Sequence, residues 1–286
     1  FRRPRLSAIT GGMERIPDTG GPAAAPDAPF TCLAPEGGAR FVLVCDHASR
    51  ALPPEAGSLG LDPAELHRHI AWDIGAADVT RALSAELDAP AVLSGYSRLL
   101  VDCNRAEDDP SRFPERSDGT AVPANAGLSA AEKARRNRLY AAPYHDAVAD
   151  MIARAEARLG HPPAIVSVHS FTPVFQGRER PWHVGILWNE VDGRLANPVM
   201  DLLRADDGLC VGDNQPYSAR QPEGLTMRRH AEVPGLPHVL FELRQDLIDT
   251  RDGATAWAHR LALVLRRSLE LYPPPFARLG PGAGPA

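Results

Sequence analysis

The 286-residue chain lacks the features that would place it in several large functional classes. Its four cysteines, Cys32, Cys45, Cys103 and Cys210, include no Cys-x-x-Cys pair. That excludes a structural zinc knot, and a chain of this length builds its own core without a disulfide framework. Reduced thiols in a cytoplasmic setting are therefore expected. Basic charge is also scarce: 31 Lys and Arg against 36 Asp and Glu leave a formal net charge of -5. A protein that gains affinity by neutralising phosphates needs the opposite balance, clustered on one surface, so nucleic acid is not an expected partner. No apolar run approaches the roughly 18 residues that a spanning helix requires, which excludes a helical membrane anchor. Arg2, Arg3 and Arg5 are followed by no apolar core, so no secretory signal is visible, and the missing initial Met reads as a trimmed start. Internal repeats are absent as well.

What is present is an ordinary globular composition, 44% hydrophobic and 23% charged. Residues 1–36 are rich in Gly, Pro and Ala and cannot offset their ordering entropy, so they read as a disordered arm. A tail over 273–286, opening with Pro273-Pro274-Pro275, reads the same way. A single domain over 37–272 lies between them. Short apolar runs recur through it, at 41–45, 91–93, 164–168, 183–188 and 238–243. Runs apolar at nearly every position suit strands covered on both faces, which predicts a three-layer α/β/α fold with a mixed, mainly parallel central sheet. Asp62, Pro63 and Glu65 predict one helix start, and Ser129 with Glu132 predicts another that runs towards Leu159 with a break at Pro143. Further helices are expected near 75–88, 195–206 and 252–271. The stretch from Glu107 to Asn125, full of Asp, Pro, Ser and Gly, reads as a long connection.

Open α/β sheets hold their ligands outside the carboxyl ends of the strands, so polar residues at those ends carry the information. His47 follows the first apolar run, His169 the third, and Glu242 lies within the last. Two imidazoles and a carboxylate are the side chains of a catalytic zinc site whose fourth position is left to water. Taken singly, each His is better explained as a strand or helix cap; their joint placement reverses that and favours the site. Glu242, between Phe241 and Leu243, is costly to bury unless paired. Arg244 two residues on is the structural partner, and a general base whose burial raises its pKa is the functional reading.

Five segments in order carry a resemblance. Cys45-Asp46-His47-Ala48-Ser49, His69-Ile70-Ala71-Trp72-Asp73-Ile74-Gly75-Ala76, Tyr96-Ser97-Arg98-Leu99 with Asp102-Cys103-Asn104-Arg105, Val168-His169-Ser170-Phe171, and Phe241-Glu242-Leu243-Arg244-Gln245-Asp246 resemble the N-formylglutamate amidohydrolase family, and more distantly the zinc carboxypeptidases. The similarity runs from about 38 to 271. It implies one zinc ion on His47 and His169, with Glu242 as catalytic base and proton shuttle. One position departs from the carboxypeptidase pattern: the Glu ligand expected three residues after the first His is replaced by Arg50, which cannot bind a cation. The missing carboxylate is assigned to Asp73, whose alternative role is helix N-cap, with Asp46 as runner-up. Arg98, Asn104 and Arg105 are expected to clamp a substrate carboxylate, since a guanidinium binds one bidentately; Arg244 is grouped with them. The structural alternative pairs Arg105 with Asp102 or Glu107.

Lesser candidates are Tyr144-His145 as an outer layer around the metal ligands, the turn Asp213–Ser218 as pocket lining, and Gly224–His230 as a basic lid. Trp182, Trp188 and Trp257 are expected in the core. His67, His161, His183, His230, His238 and His259 read as structural or solvated. The activity implied by the resemblance is hydrolysis of an N-acyl, and specifically an N-formyl, amino acid such as N-formyl-L-glutamate, a small carboxylate-bearing substrate. Its rivals are a zinc amidase or carboxypeptidase with another acyl group, and a binding protein that keeps the fold without the chemistry.

Overall fold

The structure, a computed structural model, describes residues 28–189, 191–219, 224–271 and 277–279. Residues 1–27 of the expected arm and most of the expected tail lie outside the described residues. A seven-stranded sheet forms the centre, built from β1 (Phe30–Leu33), β2 (Phe41–Cys45), β3 (Ala91–Ser94), β6 (Ala164–Phe171), β9 (Val184–Leu187), β10 (Val211–Asp213) and β11 (His238–Arg244). Two small hairpins, β4 (Arg116–Ser117) with β5 (Thr120–Ala121) and β7 (Val174–Phe175) with β8 (Arg178–Glu179), lie apart from it. The order across the sheet is β1-β3-β2-β6-β11-β9-β10. The β3-β2, β2-β6, β6-β11 and β9-β10 pairs are parallel, whereas β1-β3 and β11-β9 are antiparallel.

The alternation of side chains along a strand builds the two cores. Phe41, Leu43 and Cys45 pack on one side of β2 with α1 (Ala76–Leu87), α4 (Ala196–Arg204) and α6 (Arg251–Leu271). Val42 and Val44 pack on the other side with α3 (Ala142–Leu159), to which α2 (Ala130–Arg136) leads. The three-layer α/β/α reading is thus the observed one. No helix among the described residues is long and apolar enough to cross a membrane.

Three local expectations change. Phe30–Leu33 is not part of an arm: it hydrogen-bonds antiparallel to β3 at the sheet edge, where Phe30 and Leu33 each reach one core. An edge strand half exposed to solvent needs little apolar sequence, which is why its pattern was weak. The start at Asp62 yields only a 3-10 turn, Pro63–His67, capped by the Asp62 carboxylate accepting from Ala64 N at 2.9 Å. The helix from Ser129 is interrupted by a π-turn over Asn137–Ala141, which leaves Pro143 in the first turn of α3, where its missing N–H costs no hydrogen bond. The connection from 107 to 125 is long, as expected, but organised by the β4-β5 hairpin and a buried Asn125 whose Nδ2 donates to Leu99 O and Pro114 O.

The connectivity decides where a site can form. From β2 the chain moves through α1 to β3 on one side, then returns through α2 and α3 to β6 on the other side of β2. That reversal opens a crevice at the carboxyl ends of β2 and β6, the switch point where such sheets hold ligands.

Candidate metal and substrate site

His47 lies two residues beyond the end of β2, and His169 lies in β6 directly opposite Glu242 in β11. Three adjacent strands therefore deliver the two imidazoles and the carboxylate to one place. Asp73 reaches them from a loop: its N–H donates to His47 O at 2.9 Å, holding it beside that histidine. It is not a helix cap, because the N-cap of α1 is Gly75, at a φ of 80° that suits glycine, and a Cβ there would meet Ile248 O at 2.2 Å.

His47 Nδ1 lies 3.3 Å from Asp73 Oδ2, and His169 Nδ1 lies 2.7 Å from the same oxygen. A ligand atom from each of the three residues lies within 4.8 Å of the others, and all three residues are buried. Each imidazole's opposite nitrogen meets a different buried carboxylate: His47 Nε2 is 2.8 Å from Asp102 Oδ1, and His169 Nε2 is 3.0 Å from Asp46 Oδ2. A carboxylate on the far nitrogen is how metal-ligating histidines are held in one tautomer. Of the two aspartates, Asp73 shares the cluster with both imidazoles, whereas Asp46 stands behind His169.

Asp46 and Asp102 are in turn saturated. Tyr144 Oη at 2.8 Å and Thr226 Oγ1 at 2.6 Å donate to Asp46 Oδ1. Asp102 accepts Arg98 Nη2 at 2.8 Å, Arg98 Nε at 3.1 Å and Asn104 N at 2.9 Å. Burial opposes ionisation of all three aspartates, but their partners win. The His169 hydrogen bond helps bring Asp46 down to about 2, the two imidazoles lower Asp73, and Arg98 holds Asp102 well below the usual range. Burial would lower both histidines, yet carboxylates raise them: Asp102 and Asp73 for His47, and Asp46 with Asp73 for His169. Of the three buried carboxylates, Asp102 and Asp73 share the Arg98 guanidinium, and Asp46 forms no ion pair with an Arg or Lys among the described residues. With neutral imidazoles the pocket floor carries a negative excess that a divalent cation matches, so the residues present fit such an ion.

Glu242 differs from these aspartates. Its Oε2 is buried with no hydrogen-bond partner, and burial pushes its carboxyl up to about 7. The pairing with Arg244 does not occur: Arg244 donates to Asp246 through Nε at 2.8 Å and to Pro181 O, and it does not line the cavity. Arg244 sits one alternation further along β11, past the crevice, where Asp246 in the next turn reaches it first. On the neighbouring β9, Gly185 faces Glu242; a side chain there would meet Gln215 O at 1.8 Å.

A cavity of about 460 Å³ opens above this floor, and Arg98, Asn104 and Arg105 all line it. Arg98 is largely committed to Asp102, with Asp73 Oδ1 a further 3.5 Å from its Nη1. The Arg105 guanidinium donates to Asn104 O at 3.0 Å and Ser111 Oγ at 3.1 Å, and its charge adds to that of Arg98 in lowering Asp102. Tyr144, expected in an outer layer, donates to Asp46; the sequence reading left Asp102 as a surface partner and did not single out Thr226 and Arg228 within the expected lid. Arg228 lies on the segment of α5 (Leu225–Met227) and the π-turn Arg228–Glu232, and it lines the cavity. Its signal was the basic Met227-Arg228-Arg229-His230 run inside the expected lid. Tyr217 and Ser218 of the Asp213–Ser218 turn line the cavity too. Arg50 lies over the Trp72 ring, 5.9 Å from its centroid, and is outside the cluster. Of the three tryptophans expected in the core, Trp257 is buried, whereas Trp182 and Trp188 are only partly so.

A solved gene product of Agrobacterium tumefaciens is 36% identical, with a TM-score of 0.81 over 85% of this chain and 96% of that one. The solved N-formylglutamate amidohydrolase of Ralstonia eutropha JMP134 is 22% identical, with a TM-score of 0.60 over 86% of this chain and 98% of that one, and so shares the fold. Among curated proteins no match was found. A profile of the family described as N-formylglutamate amidohydrolase matches residues 39–249, well over half of the chain and every residue of the cluster. The chain belongs to the N-formylglutamate amidohydrolase family.

Proposed function

We propose that this amidohydrolase-family chain is a zinc-dependent enzyme that removes the formyl group from an N-formyl amino acid, with N-formyl-L-glutamate as the substrate. The observation that carries the reading is the buried His47-Asp73-His169 group with the unpartnered carboxylate of Glu242 beside it in one cavity. His47 Nδ1, His169 Nδ1 and Asp73 Oδ2 would hold the ion, and a mixed imidazole and carboxylate set suits zinc. A divalent ion at such a site supplies Lewis-acid polarisation of the scissile carbonyl and a more acidic water.

The remaining work falls to the chain's own groups. Asn104 and Arg105 receive the α-carboxylate and so orient the amide over the floor; Arg98, already tied to Asp102, fixes that floor and adds positive potential. Glu242, with its carboxyl near neutral pH, takes a proton from the attacking water at Oε2 and returns it to the departing nitrogen. Water plus the formyl amide thus become formate and the free amino group, with the shuttled proton conserved.

The test pairs metal analysis with formate release across a panel of N-formyl, N-acetyl and longer N-acyl amino acids. About one zinc per chain and preferred release of formate are expected, with the metal lost in His47→Ala and His169→Ala. Preference for another acyl group would favour the related zinc amidase. Bound metal with no hydrolysis of any substrate would leave a binding protein, and full metal retention in both mutants would sink the ligand assignment.

A further inference from the structure

The cavity wall carries more positive charge than one carboxylate uses. The Asn104-Arg105 loop and the segment from Gly224 to Glu232 form one continuous wall: Leu225 N donates to Asn104 O at 3.2 Å, and Thr226 N donates to Asn104 Oδ1 at 3.0 Å. The segment is pinned on its other side by Thr226 Oγ1 on Asp46, the carboxylate behind His169, and by His230 Nε2, 3.0 Å from His145 Nδ1 in α3. A close approach reinforces the junction, since a Cβ on Gly224 would come within 3.3 Å of Asn104 Oδ1. Arg228 is therefore presented on a backbone anchored to the metal-site framework and not on a free loop.

The three guanidiniums that line the cavity among the described residues differ in what already holds them. Arg98 is neutralised by Asp102 and Asp73. Arg105 is fastened to Asn104 O and Ser111, with Asp109 Oδ2 4.0 Å from its Nε. Among the described residues, the Arg228 side chain has no ion pair or hydrogen bond. A cation without a partner among the described residues, lining the same cavity as the Arg105 guanidinium, suits a ligand with two anionic groups. Glu232, four residues on, also lines the cavity and repels a carboxylate placed next to it, so the two charges of this segment make opposite demands on the ligand.

On the proposed deformylase reading, we infer that Arg228 is the specificity-determining residue for the distal, side-chain carboxylate of the substrate, while Arg105 with Asn104 takes the α-carboxylate. The enzyme is then selective for N-acyl dicarboxylic amino acids over their side-chain amides. A lost charge-assisted hydrogen bond to a substrate carboxylate costs about tenfold or more in kcat/KM.

The experiment compares N-formyl-L-glutamate, N-formyl-L-glutamine and the α-amide of N-formyl-L-glutamate on the zinc-loaded enzyme. Arg228→Gln should lower kcat/KM for the glutamate and the α-amide substrates by about tenfold or more, leave the glutamine substrate unchanged, and be partly rescued by Arg228→Lys. Arg105→Gln should instead lower the glutamate and glutamine substrates and spare the α-amide. Glu232→Gln, which removes the like charge, should raise the glutamate rate. Equal losses on all substrates in Arg228→Gln, or a fall in Glu232→Gln as large as that in Arg228→Gln, would overturn the assignment. If no N-formyl substrate is hydrolysed, the deformylase reading fails separately, and calorimetry decides the inference: L-glutamate should bind wild type about tenfold or more tighter than L-glutamine, and Arg228→Gln should abolish the difference. Equal binding of the two by wild type would refute it.

Discussion

Asp46 and Glu242 are both buried carboxylates in one small volume, and they are driven in opposite directions. Asp46 receives Tyr144, Thr226 and His169 and stays ionised; Glu242 Oε2 receives nothing, and burial raises it to about 7. The number of donors within reach separates the two, which suits Asp46 to holding and Glu242 to the proton transfer proposed above. Asp102 belongs with Asp46, since it holds His47 by Nε2 while itself gripped by Arg98. Asp102→Asn should weaken zinc affinity by about ten- to a hundredfold without removing a ligand, measured by competition with a chelator; unchanged affinity would mean that His47 is oriented by other contacts. At this scale the sequence was partly legible. His47, His169 and Glu242 stand out because a charged or polar residue at the end of an apolar strand is costly without a task. Asp73 was recognisable from its apolar surroundings, Trp72 and Ile74. The pairing of Asp102 with His47, and the freedom of Arg228, were not, because hydrogen-bond partners across 55 residues leave no periodic trace.

Elements set the precision with which those side chains meet. The parallel register of β6 with β11 puts Glu242 opposite His169, so a shift by one residue would move Glu242 to the other face of the sheet. On the far face, α3 and the Arg228–Glu232 turn are joined by His145 and His230, whose rings stack with centroids 5.3 Å apart. Burial, then the neighbouring His145, lowers His230 to about 4, and burial lowers His145 also. Both are neutral in the folded protein at neutral pH. Their folded pKa values lie below the unfolded one, so the stability they contribute is present above about 6.5 and lost as pH falls towards 4. His230→Gln should remove on the order of 2 kcal/mol of that acid sensitivity, read from urea unfolding at pH 7 and pH 4.5; an unaltered pH profile would show that the pair is not what titrates. The buried strands were legible from uninterrupted apolar runs. The edge strand β1 and the three-residue β10 were not, since each satisfies its pairing with little apolar surface. The π-turn before α3 was read only as a break, because Pro143 announces a perturbation without saying which kind.

The whole molecule places its chemistry where the chain reverses direction across the sheet, so that β2, β6 and β11 supply the floor and the loops after β3 and β10 supply the walls. That arrangement concentrates Asp46, Asp73 and Asp102 in the interior, a grouping that is stable when a cation, or protons on His47 and His169, balances it. Fold class was the most legible property of the sequence, because alternation of apolar strands with amphipathic helices admits few architectures. Substrate identity was the least, because it depends on charges spread over loops far apart in the chain. The central claim is that this framework holds a metal ion for catalysis and leaves proton transfer to Glu242. Formate release from N-formyl-L-glutamate by zinc-loaded Glu242→Gln, with zinc content measured on the same sample, tests it most directly. The account predicts turnover reduced by about a hundredfold or more with zinc content equal to wild type; near-normal turnover at full zinc content would contradict it.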